Sequence, residues 1–364
     1  MSHGRKGPNR ARRLVVRVPV EPVEAVMEAD AVDALRTESL AVRGPLFGIA
    51  AQSAQDGPRW RVVVPVTADN PQEARDTLNS RLWFRAKDRA ADRAERRALL
   101  AAVARLDRER VTELTVLGTR YRVVRAEEYA GMGDDGLELP RPTDPEPAVP
   151  DWSPAIPTAR TDDGLVLDPD APVTPAQAAE RLALRQLSYS GTRFPRSVLD
   201  DSRRALATHP DVLLMPVAFT VVERGREGWT PSSSLHPTAH DARRTLEFTL
   251  LQWRPRQRGL VKDVHADART VLAAEDCDPR TAAELAVYVA AADRLRAGSL
   301  NELKVRGIVY RIARTRRMLR WGPDGPESPR PSDPRGEAPC PIHVPLDEDG
   351  NYLPEDDEDD AEDV

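Results

Sequence analysis

The stretch "RWGPDGPESPRPSDP" at residues 320–334 has almost the same pattern of Gly, Pro and Asp residues as "GMGDDGLELPRPTDP" at residues 131–145. These stretches end two longer segments, 113–145 and 302–334, which align without a gap and are identical at sixteen of 33 positions. We call them the first and the second aligned segment. Self-similarity at a fixed offset, here 189 residues, is typical of a repeated structural unit. The sequence therefore predicts that the chain is an internal duplication.

The identities fall on residues that have specific structural roles. The matched pairs that form this repeat motif are Gly118 and Gly307, Tyr121 and Tyr310, Arg122 and Arg311, Arg125 and Arg314, Arg141 and Arg330, and Asp144 and Asp333. Each glycine lies within a β-branched and aromatic stretch, where it can adopt the positive φ of a tight turn. We therefore expect one β-hairpin to turn at Gly118 and another at Gly307.

Alternation along these hairpins assigns each side chain to a face of the sheet. Tyr121 and Val123 share one face, whereas Arg120 and Arg122 share the other, because successive strand residues point in opposite directions. We expect the tyrosine face to pack on the core. The arginine face, which includes Arg311 in the second hairpin, is expected to be exposed. The following "PRPTDP" and "PRPSDP" cannot donate to a ladder and predict the exit from the sheet.

Each copy is predicted to contain a helix, two strands, two further helices and the hairpin. The stripe of Leu99, Val103 and Leu106 predicts a half-buried helix, and the same stripe recurs in the second copy. The recurring residues are Tyr288, Ala292 and Leu295. We also expect a first helix near 22–36 and a helix that begins at Pro71. The fold class is therefore predicted to be α+β, with two tandem copies of an antiparallel sheet packed on helices.

The boundaries of the units follow from changes in composition along the chain. The predicted regions are a basic disordered arm at 1–14, an α+β repeat at 15–145, a Pro/Asp-rich linker at 146–174, a second repeat with an inserted helix at 175–334, and an acidic disordered tail at 335–364. Residues 347–364 carry eleven Asp or Glu and no Lys or Arg. Such a block favours a solubilising tail, or one that competes with an anionic ligand for a basic face.

The composition of the chain bounds its class and its compartment. The 364 residues include 40% apolar residues, which is enough for real cores, but no run of about 18 apolar residues that would predict a membrane span. Only Cys277 and Cys340 are present, so no disulfide framework is indicated. We therefore expect a cytoplasmic protein without a membrane partner.

Motifs that would indicate catalysis or metal binding are weak. "GMGDDG" at 131–136 fits G-x-G-x-x-G, but no helix follows it to hold a pyrophosphate, so a turn is favoured. The pairs His236 and His240, and Cys340 and His343, each lack the further ligands that a zinc site requires. We expect no cofactor and no metal, and an enzymatic activity is the least favoured reading.

Arginine-rich and aromatic stretches leave two alternatives open. Among 53 basic residues only four are lysines, and "YRIARTRRMLRW" at 310–321 combines arginines with Trp321. Such a surface can contact phosphates and stack on bases, whereas charged strand edges that prevent unwanted pairing are the favoured explanation. The candidate binding residues are Arg122, Arg125, Arg311, Arg314, Arg316, Arg317 and Trp321.

The closing motif, together with "VRGIVYRIAR" and "VEPVEAVMEADA", resembles an uncharacterised actinobacterial family that is known only as a domain of unknown function. The resemblance covers most of residues 15–334 and implies no activity and no site residues. The sequence predicts an interaction or scaffolding protein that engages a protein partner or a second copy of itself. The alternative is a nucleic-acid-binding protein that uses the Arg/Trp-rich hairpin of the second copy.

Overall fold

The computed structural model describes residues 12–34, 39–153, 160–226 and 228–353. Its helices are α1 Pro22–Ala34, α2 Pro71–Asp88, α3 Arg93–Leu106, α4 Pro175–Leu184, α5 Arg196–Thr208, α6 Ala239–Phe248, α7 Arg254–Gln257, α8 Ala268–Leu272 and α9 Pro279–Gly298. A π-helical turn, Thr249–Trp253, joins α6 to α7. The strands are β1 Ser39–Gln52, β2 Trp60–Ala68, β3 Glu113–Val116, β4 Thr119–Gly133, β5 Gly136–Leu137, β6 Val166–Leu167, β7 Asp211–Leu214, β8 Ala218–Gly225, β9 Gly228–Pro231, β10 Glu302–Val305, β11 Ile308–Gly322 and β12 Gly325–Pro326.

One antiparallel sheet runs through the described molecule in the order β6-β2-β1-β4-β11-β8-β9. Shorter strands flank its centre: β3 and β5 pair with β4, while β7, β10 and β12 pair with β11. The predicted mixture of helices and antiparallel sheet is confirmed. The predicted separation into two sheets is not what the structure has, because β4 pairs directly with β11, from Arg316 opposite Tyr129 to Leu319 opposite Ala126.

Both predicted hairpins are present, and both turn at their glycine. Leu117 and Gly118 have φ angles of 51° and 74°, and Arg306 and Gly307 have φ angles of 49° and 86°. Positive φ at both central residues is what a two-residue turn between twisted strands requires. The strands after the turns are longer than we expected. They continue to Gly133 and Gly322, because their middle sections pair with the other half of the molecule.

Helices cover the sheet in two places. The α2–α3 pair packs on β1 and β4, and its buried residues include Leu99, Val103 and Leu106. The α6 and α9 helices cover β8 and β11 through a second cluster that includes Tyr288, Leu295 and Tyr310. The predicted apolar stripes are therefore core stripes. A third cluster, which contains Trp60 and Trp321, lies on the opposite face of β1 and β4, because residues adjacent in a strand alternate between the clusters.

The expected linker and the expected tail both pack on the folded body where the structure describes them. Within 146–174, Val166 and Leu167 pair with β2, and Trp152 contacts His240 edge to face. Within 335–353, Leu346 is buried beneath α2 and α3, and His343 stacks on Trp83. Proline removes ladder donors without preventing side-chain packing, which explains this difference from the expectation. The remaining tail residues, 354–364, and residues 1–11 of the basic arm lie outside the described residues.

Within the part of the chain that the structure describes, none of the helices combines the length and the apolarity needed to cross a lipid bilayer.

Candidate functional site

The arginines that we expected to face solvent are buried. Arg122 and Arg311 are only 6% and 7% exposed. The other candidate binding residues that are buried are Arg125, Arg314, Arg317 and Trp321, and Arg316 is nearly so. The expectation of exposed arginine faces is therefore wrong. A buried guanidinium needs acceptors for its five donors, and the neighbouring Pro-rich segments bring those acceptors.

Two buried ion pairs connect the aligned segments in both directions. The Nε of Arg125, in the first segment, donates to Asp333 of the second at 2.9 Å. The Nε of Arg314, in the second segment, donates to Asp144 of the first, also at 2.9 Å. Burial raises the pKa of Asp333, against the lowering effect of Arg125. Each Pro-rich segment therefore lies over the long strand of the other half.

The hairpin arginines take part in the same reciprocal arrangement. Arg122 donates to the carbonyl oxygens of Asp324 and Pro326 at 2.9 and 3.1 Å, and its guanidinium lies over the Trp60 ring. Arg311 donates to the Leu137 carbonyl at 2.9 Å and lies over Trp229. These arginines fix the short strands β12 and β5, so they serve the fold and are not free to contact a partner.

The turns beside these arginines leave no room for a side chain. A Cβ on Gly325 would lie 2.7 Å from Nε1 of Trp60, and a Cβ on Gly136 would lie 2.7 Å from Nε1 of Trp229. Both glycines also have a φ of 110°, which L side chains rarely adopt. Glycine is required at both turns for the same two reasons.

Two ionic clusters surround these reciprocal pairs: the first contains Arg125, Glu127, Glu327, Arg330 and Asp333, and the second contains Glu138, Arg141, Asp144, Arg314 and Arg316. The clusters differ at one aligned position, which holds Glu127 in the first segment and Arg316 in the second. Glu127 accepts hydrogen bonds from Arg125 and from the Tyr189 hydroxyl, both at 2.6 Å. Burial alone would raise the pKa of Glu127, but Arg125 and Arg330 outweigh it and lower that pKa. Burial also raises the pKa of Tyr189. Tyr189 thus covers Glu127 with a neutral hydroxyl, while Glu327 and Arg330 of the same cluster line a separate cavity of about 460 Å³.

Arg316 lies on the floor of a different groove. Arg316 forms ion pairs with Glu180 of α4 and with Glu138, and it lies over the ring of Tyr129. The Tyr129 hydroxyl donates to Glu180 at 2.9 Å. Above this floor is a cavity of about 500 Å³ between α1 and α4, which we call the α1–α4 groove. Its apolar lining residues are Pro19, Met27, Ala31, Pro145, Ala176, Leu214, Met215, Pro216 and Val217.

Charges in the α1–α4 groove are balanced. Its four arginines are Arg17, Arg141, Arg314 and Arg316, and its four carboxylates are Glu24, Glu28, Asp144 and Glu180. Burial, reinforced by Glu180, raises the pKa of Tyr129 well above its ordinary value. No histidine or cysteine lies among the described lining residues. The groove therefore combines balanced charges with apolar walls.

The histidine and cysteine pairs of the sequence are apart from this groove. His236 is buried, and His240 makes a 2.8 Å hydrogen bond between its Nε2 and the Asp151 carbonyl. His343 bonds through Nε2 to the Ser80 hydroxyl at 2.9 Å, whereas Cys340 is exposed. Across 12–34, 39–153, 160–226 and 228–353, no group of three or more His, Cys, Asp or Glu is placed to hold a metal ion.

Sequence reasoning missed the residues that other parts of the chain bring to the centre. Glu180 lies in α4, where the sequence predicts a short additional helix at 175–187, and α4 begins with a capping box between Thr174 and Gln177. The local sequence locates this helix but not its position over β4. Asp162, from the expected linker, forms a fully buried ion pair with Arg317. No local pattern distinguishes this aspartate from its neighbours in "TDDG".

Comparison with known proteins gives a family but no activity. Neither a curated protein nor a solved structure matches the chain. A family of unknown function, DUF5954, matches residues 21–336, which include both aligned segments, the cluster around Glu127 and the α1–α4 groove except its lining residues Arg17 and Pro19. The chain therefore belongs to the DUF5954 family.

Proposed function

We propose that this protein is a non-enzymatic interaction protein that acts in the cytoplasm and binds an apolar segment of a partner protein in the α1–α4 groove. The observation that carries the proposal is the difference between the two ionic clusters. Tyr189 covers Glu127, whereas Arg316 at the aligned position lies on the floor of an open groove of about 500 Å³. A cavity of this size is within the range of about 300–1,000 Å³ that ligand sites occupy.

The scaffold of the site is proposed to be a duplicated α+β unit. Support comes from the pairs Arg125–Asp333 and Arg314–Asp144, which join equivalent positions of the aligned segments in opposite directions. Further support comes from the hydrogen bonds of the Arg125 amide to the Glu327 carbonyl and of the Arg314 amide to the Glu138 carbonyl. In such a duplicated unit, the Pro-rich segment of each copy packs on the other copy. Insertions can then change one copy without altering the other.

The apolar surface extends beyond the groove, which favours a protein segment over a small molecule. Met27 lines the groove from α1, and Val23 lies one helical turn before it on the same face. Val23 and Val20 are strongly exposed. A small ligand confined to the groove would leave both valines in water, whereas a segment of a protein can cover the groove and the valines together.

The charge balance of the groove indicates which partner segment fits. Because four arginines face four carboxylates, a strongly charged segment would meet its own sign as often as the opposite one. A segment with apolar side chains and no net charge uses the apolar walls without disturbing the ion pairs on the floor. We therefore expect a neutral amphipathic segment of the partner to be the bound element.

Site-specific photocrosslinking tests this function. A photoreactive residue is placed at Met27 in the full chain, in the cells that naturally produce it, with Val287 on α9 as a control of similar exposure. We expect one protein to be crosslinked from position 27 and not from position 287. Ala31→Trp, which fills the groove, should abolish that product while leaving the melting temperature within about 2 °C. The same products from both positions, or a product that survives Ala31→Trp, would overturn the proposal.

A further inference from the structure

A second surface lies away from the groove, on the outer side of α2 and α3. Residues 81–97 contain seven basic and only three acidic side chains, and we call their outer side the α2–α3 basic face. Arg93 and Arg97 each have side chains that are 65% exposed. They therefore differ from the buried arginines of the sheet, whose acceptors are built into the fold.

The positive charges of these arginines are placed where they destabilise the helix that carries them. Arg93, Arg96 and Arg97 lie at the start of α3, where the backbone dipole presents its positive end. Cations at a helix N-terminus are unfavourable, and the N-cap Asp92 and Glu95 offset this only in part. An anion bound at this end would remove the remaining repulsion.

The chain's own C-terminal segment supplies such anions. Arg93 donates through Nε and Nη2 to both carboxylate oxygens of Asp349, at 2.7 and 2.8 Å. Arg97 donates in the same forked manner to Glu348, with both distances 3.1 Å. Arg96 adds a hydrogen bond to the Glu348 carbonyl. A forked guanidinium contact suits a phosphate as well as it suits a carboxylate.

The acidic segment is also positioned by contacts other than its ion pairs with Arg93 and Arg97. Leu346 is buried in the α2–α3 cluster, and His343 stacks on Trp83 with ring centroids 4.5 Å apart. The Asp347 carboxylate accepts the amides of Asp349 and Asn351, which holds the turn. These contacts place Glu348 and Asp349 against the start of α3. In sequence, eight more acidic residues follow between 355 and 363.

An exposed aromatic ring on α2, in the same helix pair, favours single-stranded nucleic acid over an acidic protein. Phe84 on α2 is 51% exposed and lies against Trp83 and His343. An acidic peptide gains little from such a ring, whereas a nucleic acid can stack a base on it while arginines hold its phosphates. We infer that the α2–α3 basic face binds single-stranded nucleic acid and that the acidic C-terminal segment covers this face in competition with it.

The test measures the binding of a fluorescent 20-nucleotide single-stranded DNA by anisotropy. The full chain is compared with a full-length variant in which every Asp and Glu from 348 to 363 is replaced by Asn or Gln. A tethered competitor has an effective concentration of about 1 mM, so its neutralisation should tighten binding about tenfold or more. Adding Arg93→Ala and Arg97→Ala to the neutralised variant should remove the gain.

Salt and stacking measurements separate nucleic acid from a general polyanion. With contacts from Lys87, Arg93, Arg96 and Arg97, the slope of log affinity against log salt should be about −3 for a single strand. Phe84→Ala should weaken DNA binding several-fold without changing that slope. The inference is overturned if neutralisation gives no gain or if the gain survives loss of both arginines. It is also overturned if a poly-glutamate peptide of equal charge binds as tightly as the DNA.

Discussion

Arg125 donates to Asp333, 208 residues further along the chain, and this ion pair is fully matched by that of Arg314 with Asp144, 170 residues back. All four side chains are buried or nearly so. Each pair joins the long strand of one aligned segment to the Pro-rich segment of the other. If either Pro-rich segment detached from the sheet, a buried arginine would lose its carboxylate partner, which is strongly destabilising.

The two reciprocal ion pairs should contribute equally to stability. Asp333→Ala and Asp144→Ala each leave a buried guanidinium short of an acceptor, so each should lower the free energy of unfolding by about 3 kcal/mol. The measurement is chemical denaturation of the full chain. Asp349→Ala removes a carboxylate of an exposed ion pair and should cost less than about 1 kcal/mol. A loss at Asp333 as small as that at Asp349 would contradict the structural role.

Gly48 in β1 is expected to tolerate no side chain. A Cβ at this position would lie 2.6 Å from the carbonyl oxygens of Val64 and Pro65, which are backbone atoms of the neighbouring strand. Gly48→Ala should therefore destabilise the protein by about 2 kcal/mol or more. Gly133→Ala is the matched control, because nothing lies within 4 Å of its Cβ and it too is in a strand. Equal melting temperatures for the two variants would show that the strands can move apart.

His236 should make the protein less stable in acid. Burial, opposed by Asp241 and reinforced by Arg244, lowers the pKa of His236 to about 4 from an ordinary 6.5. The unfolded chain binds this proton first as the pH falls, so stability should decline between about pH 6.5 and pH 4 and no further below. The total loss from this group is about 3 kcal/mol.

Substitution of His236 isolates that contribution. His236→Leu should flatten the dependence of unfolding free energy on pH between 6.5 and 4, because the burial of an uncharged ring is replaced by that of an aliphatic group. His265→Leu is the control, since His265 is exposed. Identical pH profiles for the His236 variant and the unsubstituted chain would exclude His236 as a source of the acid sensitivity. Some slope should remain, because burial also lowers the pKa of His209.

Leu346 tests whether the C-terminal segment is part of the folded core. It is 7% exposed and packs among residues of α2 and α3. Leu346→Ala should cost about 2–3 kcal/mol of stability in denaturant unfolding. Leu353→Ala, at an exposed position seven residues later, should cost less than about 0.5 kcal/mol. If both changes are neutral, the C-terminal segment is not held on α2 and α3. The inference that this segment covers the α2–α3 basic face would then be contradicted.

Local patterns in the sequence accounted for the elements of this fold. The turns at Gly118 and Gly307, the stripe of Leu99, Val103 and Leu106, and the helix start at Pro71 follow from steric and periodic rules that act over a few residues. The structure has all of them. The groove was not predictable in this way, because it is lined by α1, α4, β4, β11 and the residues that follow β7, which are far apart in sequence.

The sequence by itself indicated the two hairpins, the start of α2 and the apolar helix stripes, and it aligned segments 113–145 and 302–334 residue by residue. It did not determine that Arg122 and Arg311 would be buried, because alternation assigns a face to a side chain but not what covers that face. Only the tertiary structure decided that each Pro-rich segment lies over the opposite half, bringing Asp333 to Arg125 and Asp144 to Arg314. The physical reason is that a buried guanidinium requires an anionic acceptor, and the acceptor within reach comes from the far end of the chain.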